Sequence, residues 1–364
     1  MSLKSKLSIF GAYFFRFIGY SIEPMLKKIG NPNQNSPVLV TANFNLTVKR
    51  LLKKLKGLNC YLLIAPSNGI NVWCGACGGD FTTDSVISII KTSGINELVS
   101  HRTLILPQLS APGIDPTIIK KELGWNAKFG PVYAKDIKKY IKNNFEKTDV
   151  QKRIRFPIKK RLEMANAYYF VMVILFTIIY WILAIFFSNL DLILYLDTLL
   201  IGFIIIYGSL IILPSIPSTK GKLKVLIFGT LILFLIILFY IFVYDDLYYL
   251  VWNIITTLFV TLVMAEDFHG ITPTYKSDLG EKSWKKGKEN MKIVFGTFKL
   301  QPYGELKLDR DKCIGCKVCL DVCPRVVYKF NETDKKVDIN SPKKCINCNA
   351  CVNRCLAQCL KIEK

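Results

Sequence analysis

Histidine is almost missing from this 364-residue sequence, with His101 and His269 as its two copies. Neither sits in a recognisable ligand motif, and His101, between apparent secondary elements, reads as structural. Acidic residues are also scarce: 27 Asp and Glu stand against 49 Lys and Arg, a formal charge of +22. So large an excess raises nucleic-acid binding. The basic residues, however, gather beside apolar segments and form no stripe interleaved with aromatics, which excludes nucleic acid as the partner and points to a membrane surface. No secreted disulfide scaffold is present either. Eight of the 12 cysteines fall in two CxxCxxCxxxC runs, the spacing of iron–sulfur ligands, so the compartment is reducing.

Four windows are nearly free of lysine and arginine: residues 167–187, 192–213, 223–244 and 247–265. Each is about 20 residues long, enough for a helix to cross the hydrocarbon core. Four such runs in succession outweigh the alternative of a buried soluble core. We therefore expect an all-α transmembrane domain of about four spans over residues 160–266, with membrane lipid as its partner. The loops give an orientation, because positive residues stay on the cytoplasmic side. Before the first span come Lys152, Arg153, Arg155, Lys159, Lys160 and Arg161; the second loop has Lys220, Lys222 and Lys224; the exit has Lys276, Lys282, Lys285, Lys286 and Lys288. The first and third loops, Ser188-Asn189-Leu190-Asp191 and Tyr244-Asp245-Asp246, contain no positive charge. Both flanking soluble domains are thus expected in the cytoplasm, on a multi-pass protein of the cell (inner) membrane. Asp197, which has no evident partner in the sequence, is read at the non-cytoplasmic interface rather than on an ion path. The apolar stretch 7–22, broken by Arg16 and lacking a cleavage site, suggests an amphipathic interfacial helix within residues 1–30.

The last region, residues 309–364 after a linker at 267–308, reads as an α+β ferredoxin domain with two [4Fe–4S] clusters. Where two such runs share two cubes, the fourth cysteine of each binds the other cube. Cys313, Cys316, Cys319 and Cys355 are then expected around one cluster, and Cys345, Cys348, Cys351 and Cys323 around the other. Zinc is the bland reading of a CxxC pair, but two consecutive runs of four leave it little room. Leu356 stands where a proline often ends the second run. Cys359 is left over as an idle thiol, a repair ligand or a metal-handling group. Two adjacent cubes form a one-electron relay, so an electron donor is implied while no substrate is named.

Residues 31–150 alternate strand and helix: buried strands at 37–41 and 60–65 with an amphipathic helix 46–55 between them, then a helix at 84–92, a strand at 103–106 and a closing helix at 134–143. That order argues for an α/β, Rossmann-like, mostly parallel sheet with ligand sites beyond the carboxyl ends of its strands. Past the second strand lies Gly69-Ile70-Asn71-Val72-Trp73-Cys74-Gly75-Ala76-Cys77-Gly78-Gly79, read as a Gly/Ala-rich loop. Small neighbours would let a large planar cofactor approach a sulfur there. Spacing alone also allows a thioredoxin-like or zinc CxxC pair at Cys74 and Cys77.

The wider string narrows the choice. Asn71-Val72-Trp73-Cys74, Thr82-Thr83-Asp84, Ser100-His101-Arg102-Thr103-Leu104-Ile105-Leu106-Pro107-Gln108-Leu109, Ala111-Pro112-Gly113 and Gly130-Pro131-Val132 together resemble the corrinoid-binding protein of microbial mercury methylation. They resemble more distantly the corrinoid domain of the acetyl-CoA-pathway corrinoid iron–sulfur protein. The likeness continues through the apolar bundle into Asp267-Phe268-His269-Gly270-Ile271-Thr272-Pro273 and the tail, as if the corrinoid protein and its usually separate ferredoxin were fused. It implies a cobalamin-type corrinoid with Cys74 as the cobalt ligand and catalytic thiolate. Asn71, Val72 and Trp73 would form the supporting cap, and Gly75, Ala76, Gln108, Gly130 and Pro131 would be further cofactor contacts. The Asp-x-His-x-x-Gly signature of histidine-ligated corrinoids is absent. In the mercury family the loop continues Cys-Ala-Ala-Gly-Lys, whereas here Cys74-Gly75-Ala76-Cys77-Gly78 loses the lysine and gains a thiol. Cys77 and Cys359 could therefore handle a soft metal.

The implied activity is a corrinoid-dependent methyltransferase: cobalt reduced by the ferredoxin takes a methyl group from a methyl donor protein or a methyl-tetrahydrofolate or pterin system, and passes it to Hg(II). Two other readings stay open. One is a corrinoid methyl carrier for a different acceptor; the other is a membrane electron-transfer protein using Cys74 and Cys77 as a redox pair.

Overall fold

The computed structural model describes residues 21–155, 157–186, 191–212, 215–216, 221–243, 246–267 and 305–363. The expected N-terminal helix at 7–22, His269, the lysines of the exit and most of the linker lie outside the described residues. The chain divides into two compact units, one built from both soluble regions and one from the apolar helices.

The first unit contains the strands and helices β1 (Met25–Ile29), β2 (Val38–Ala42), α1 (Asn45–Leu55), β3 (Cys60–Ala65), α2 (Val72–Gly78), α3 (Thr83–Thr92), α4 (Ile95–Leu98), β4 (Thr103–Leu106), α5 (Pro116–Leu123), β5 (Asn126–Phe129), α6 (Ile137–Lys142) and α7 (Asp149–Lys152). The sheet order is β1-β3-β2-β4-β5. β2, β3, β4 and β5 pair in parallel and β1 runs antiparallel along one edge, with Met25 opposite Ile64 and Ile29 opposite Cys60. Every residue of β2 and β3 is buried, as expected of central strands covered on both faces. On one face, α1 lays Val48, Leu51 and Leu55 against Leu39, Leu62 and Ile64. On the other, Val86 and Ile90 of α3 join Val40, Leu63 and Leu104.

Four sequence expectations change here. Met25–Ile29 falls inside the stretch assigned to the N-terminal helix at 1–30 but is a sheet edge, whose two lysines and mostly exposed pattern hide a strand. Asn126–Phe129 is the opposite edge and was unread for the same reason. Residues 72–78 form a helix rather than a loop. Glu305–Leu308, within the stretch read as linker, is a strand of the tail.

β2 leads out to β3 on one side and β4 lies on its other side, so the strand order reverses between β2 and β4 and opens a crevice at their carboxyl ends. Asn43 directly follows β2 and is 4 % exposed. Its Oδ1 accepts from Ser67 N at 3.0 Å, Ser67 Oγ at 2.8 Å and Gly69 N at 3.0 Å. One buried amide thus ties the end of β2 to the turn that launches α2.

The second unit holds α8 (Ile158–Phe186), α9 (Leu192–Ile212), α10 (Gly221–Phe242) and α11 (Leu247–Asp267). All four are long and apolar enough to cross a membrane. Ile201, Ile205, Val225, Val260 and Met264 pack inside, whereas Ile178, Trp181, Phe203, Phe234 and Leu262 point outward. Such an apolar exterior suits lipid rather than water. Asp197 has a partner that the sequence does not reveal: Asn253 of α11 donates to its Oδ2 at 3.3 Å, and to Tyr240 OH at 2.8 Å.

The tail belongs to the first unit. It contains β6 (Glu305–Leu308), α12 (Val318–Val322), β7 (Tyr328–Phe330), β8 (Val337–Ile339), α13 (Ala350–Asn353) and β9 (Leu360–Glu363), with β6–β9 and β7–β8 as antiparallel pairs. Its core is continuous with that of the sheet, since Ala111 and Ile114 share a buried cluster with Leu306, Val322 and Cys351.

Candidate functional site

α2 is only seven residues long, and its ends explain how a Gly-rich string becomes helical. Asn71 caps the start, its Oδ1 accepting from Cys74 N at 3.0 Å. Gly79 closes the other end at φ +90°, donating to Gly75 O, a left-handed cap that favours glycine. Cys74 is therefore held by its own main chain and stands half-buried, as do Val72 and Trp73; Gly75 and Ala76 are buried. A side chain at Gly113 would place its Cβ 2.6 Å from Ala76 O, so the loop after β4 can approach α2 only as glycine.

The sheet's carboxyl edge gathers the other residues singled out in the sequence, with differing surroundings. Gln108 is 1 % exposed, and its amide is engaged by the chain itself: Nε2 donates to Lys152 O at 3.1 Å and Oε1 accepts from Lys147 Nζ at 3.2 Å. Gly130 and Pro131 are buried beyond β5, where a Cβ on Gly130 would press on Ile105 at 2.9 Å. His101 is structural. Its Nδ1 accepts from Thr103 N at 3.2 Å, so Nε2 carries the proton given to Ser36 O at 3.0 Å. Asn43, which fixes the turn before α2, was missed; the available signal was an asparagine directly after a fully apolar strand.

The tail brings the cysteines together in two crossed sets. Cys313, Cys316, Cys319 and Cys355 line one pocket with Leu308, Val318, Val337 and Leu360. Cys359 lines it too, with its Sγ 3.3 Å from Cys355 Sγ. In the second set, beyond burial, Cys351 and Cys323 raise the thiol pKa of Cys348, and Cys323 and Cys345 raise that of Cys351, to which Cys319 of the first set also contributes. Tyr328 OH donates to Cys351 Sγ at 2.9 Å. Burial pushes the Cys319 thiol up to about 12, with Cys316 adding to it, and does the same to Cys359, with Cys355 adding. It carries Cys348 well above the ordinary thiol range.

The two soluble regions meet at polar ties. Lys147, whose side chain is 2 % exposed, pairs with Asp321 Oδ1 at 2.9 Å and also donates to Asp321 O at 3.1 Å. Burial lowers its ammonium pKa, and Asp321 opposes that shift. Ile154 N donates to Pro324 O at 2.8 Å, Asn353 Nδ2 to Pro112 O at 2.9 Å, and Arg354 pairs with Asp115 at 2.6 Å. Cys77, next to Ala76 on α2, has its thiol pushed up to about 12 by burial and then by Cys74.

Comparison with known proteins fits this division. Residues 19–141 match the family described as CO dehydrogenase/acetyl-CoA synthase delta subunit, and residues 305–356 match the 4Fe-4S dicluster domain. Two family models thus match separate stretches of the chain. The chain is similar to the acetyl-CoA decarbonylase/synthase complex subunit gamma of Methanocaldococcus jannaschii, 33% identical over 129 residues, which is 35% of this chain and 26% of that protein. The corresponding subunit of Methanopyrus kandleri is 32% identical over 122 residues, 33% of this chain and 26% of that protein. Subunit gamma 2 of Methanosarcina thermophila is 38% identical over 95 residues, 25% of this chain and 20% of that protein. The chain spans about a quarter of the length of these relatives. The dicluster match makes the tail an iron–sulfur domain and sets zinc aside.

Proposed function

We propose that this chain is a membrane-anchored corrinoid methyl carrier in which Cys74 of α2 would hold the cobalt of a bound corrinoid through its thiolate and the tail would supply the reducing electron. The observation that carries the reading is the placement of Cys74, half-buried on an Asn71-capped helix at the carboxyl edge of an acetyl-CoA-pathway-type sheet, in the same compact unit as a dicluster domain. The cap fits the group. Gly75 and Ala76 put no bulk beside the sulfur, and the Asn71 bond sets the direction of the Cys74 main chain. A bound corrinoid would supply a metal able to accept and release a methyl group.

Hg(II) is the acceptor we propose, on the resemblance of Asn71-Val72-Trp73-Cys74, with the thiol of Cys77 one helical turn from Cys74. A carrier for a different acceptor is the second reading, favoured by the exchange of the family's lysine-bearing loop for Cys77-Gly78 and by the names of the relatives. Crossed ligation of two cubes, by Cys313, Cys316, Cys319 and Cys355 and by Cys345, Cys348, Cys351 and Cys323, follows the spatial grouping of the thiols. Cys359, beside Cys355, is the reserve ligand of the first cube. The four apolar helices would anchor the chain, with both soluble regions on the cytoplasmic side by the charge of the loops.

Metal analysis and visible spectra on anaerobically purified protein supplied with corrinoid test the reading, with Cys74→Ala as the comparison. About one cobalt and about eight irons per chain, with a cobalt spectrum altered by the substitution, are expected. Iron without cobalt would leave an electron-transfer protein with a Cys74/Cys77 dithiol. Methyl transfer to Hg(II) measured against thiol acceptors separates the two methyl-carrier readings.

A further inference from the structure

The two faces of the α/β sheet differ in charge. On one face, α1 and α6 share a single apolar cluster through Leu51, Leu55, Ile137 and Tyr140, and Lys138 Nζ donates to Lys56 O. α1 contains four basic residues and α6 three, with no acidic residue in either. On the other face, α3, α4 and α5 together hold three residues of each sign. Lys53, Lys54, Lys139 and Lys142 are exposed, and none has an acidic partner among the described residues. The tail packs, like Val72 of α2, into the cluster of the opposite face.

Three observations say what such a face meets. Neither α1 nor α6 exposes a large apolar side chain, so the face lacks the anchor around which protein interfaces form. Its exposed charges are lysines, while Arg50 of α1 is half-buried; compact ammonium groups on flexible stems suit a diffuse layer of phosphates better than paired carboxylates. The chain also leaves from the rim of this face. Tyr133, just before the turn into α6, donates through its OH to Arg155 O at 2.7 Å, and Lys135 of that turn lies 5.8 Å over the Tyr133 ring. The first apolar helix, α8, starts three residues after Arg155, at most about 11 Å of chain. We infer that the α1/α6 face docks on the anionic headgroups of the membrane that α8 enters. The docking rests on the membrane anchoring proposed above. It leaves α2 and the tail, packed on the opposite face, open to soluble methyl and electron donors.

Lysine acylation of the full chain, read by mass spectrometry, tests the docking in lipid nanodiscs of neutral phosphatidylcholine and in discs that also contain anionic phosphatidylglycerol. A lysine near an anionic surface is worth about fivefold in partition, so Lys53, Lys54, Lys139 and Lys142 should react at least about fivefold more slowly in the anionic discs. Lys91, Lys120 and Lys121 of the opposite face should react alike in both. Salt at about 1 M should erase the difference, because the screening length then falls to about 3 Å. In Lys53→Gln/Lys54→Gln/Lys139→Gln/Lys142→Gln, whose changes are all at exposed positions, Lys56 and Lys135 should lose their protection. Full reactivity of the native face in both discs would overturn the inference. Protection equal in both discs, relative to detergent, would assign the face to a protein contact and overturn it as well. If alkaline carbonate strips the chain from the discs, the anchoring reading fails, and the footprint taken on anionic discs still decides the face.

Discussion

The two cysteine runs are nearly the same local structure in different company. Gly315, Lys317 and Val326 sit in the left-handed region around the first run, and Asn347, Asn349 and Gln358 occupy the matching places around the second. Asp321 and Asn353 occupy equivalent positions too, two residues before the last cysteine of each run, and both reach the α/β region. Yet the first run exposes Cys316 while burying Cys313 and Cys319, whereas the second run leaves its middle thiol, Cys348, half-buried. Repetition specifies how each cube is held; the neighbour specifies how far each thiol is buried.

The largest test of that comparison exploits the spare thiol. Cys323→Ala should cost about half of the iron, because among the described residues no thiol stands against Cys323 as Cys359 stands against Cys355, whereas Cys355→Ala should keep about all of it, since Cys359 is 3.3 Å away. Iron analysis of both, with Cys355→Ala/Cys359→Ala as the variant that restores the loss, decides the point. Asp321→Ala comes next. It leaves the Lys147 ammonium buried with only Gln108 and the main chain, and with Asp321 half exposed the expected cost is about 1–2 kcal/mol in denaturant unfolding. Asn353→Ala, at the equivalent place, removes a neutral hydrogen bond on an exposed side and should cost about 0.5–1 kcal/mol.

Lys147 also predicts a pH dependence. Burial holds its folded-state pKa below the ordinary 10.5, so between that lowered value and 10.5 the unfolded chain binds the extra proton, and stability rises with pH across the interval. Lys147→Met should flatten that alkaline limb relative to the native chain; an unchanged limb would contradict the assignment. A comparable effect concerns the cap. Asn71→Ala removes the Cys74 N–H acceptor and should cost about 1 kcal/mol, read in unfolding and as weaker cobalt retention.

Much of this architecture was legible because its signals are strong and local. The apolar windows contain the cores of α8 to α11, and fully apolar runs at Val38–Ala42 and Cys60–Ala65 announce central strands. The edge strands at Met25–Ile29 and Asn126–Phe129 were not legible, since half of an edge faces solvent and carries lysine. α2 was hidden by glycines whose helical state depends on Asn71 and Gly79 at its two ends. Gln108 was singled out by resemblance, while only the fold shows it spent on Lys147 and Lys152. Asp197 likewise gains Asn253 from a helix more than fifty positions away, a distance at which sequence pattern carries no pairing.

By itself the sequence determined the number of apolar spans, the iron–sulfur character of the tail and the alternation of strand and helix, because each follows from periodicity, length or ligand spacing along the chain. Tertiary structure alone decided that Cys359 faces Cys355, that Lys147 is buried against Asp321, and that Asn353 donates to Pro112. The first is a local fold-back of the tail; the others join segments far apart in the chain and exist only once a shared apolar core has drawn the tail onto the sheet.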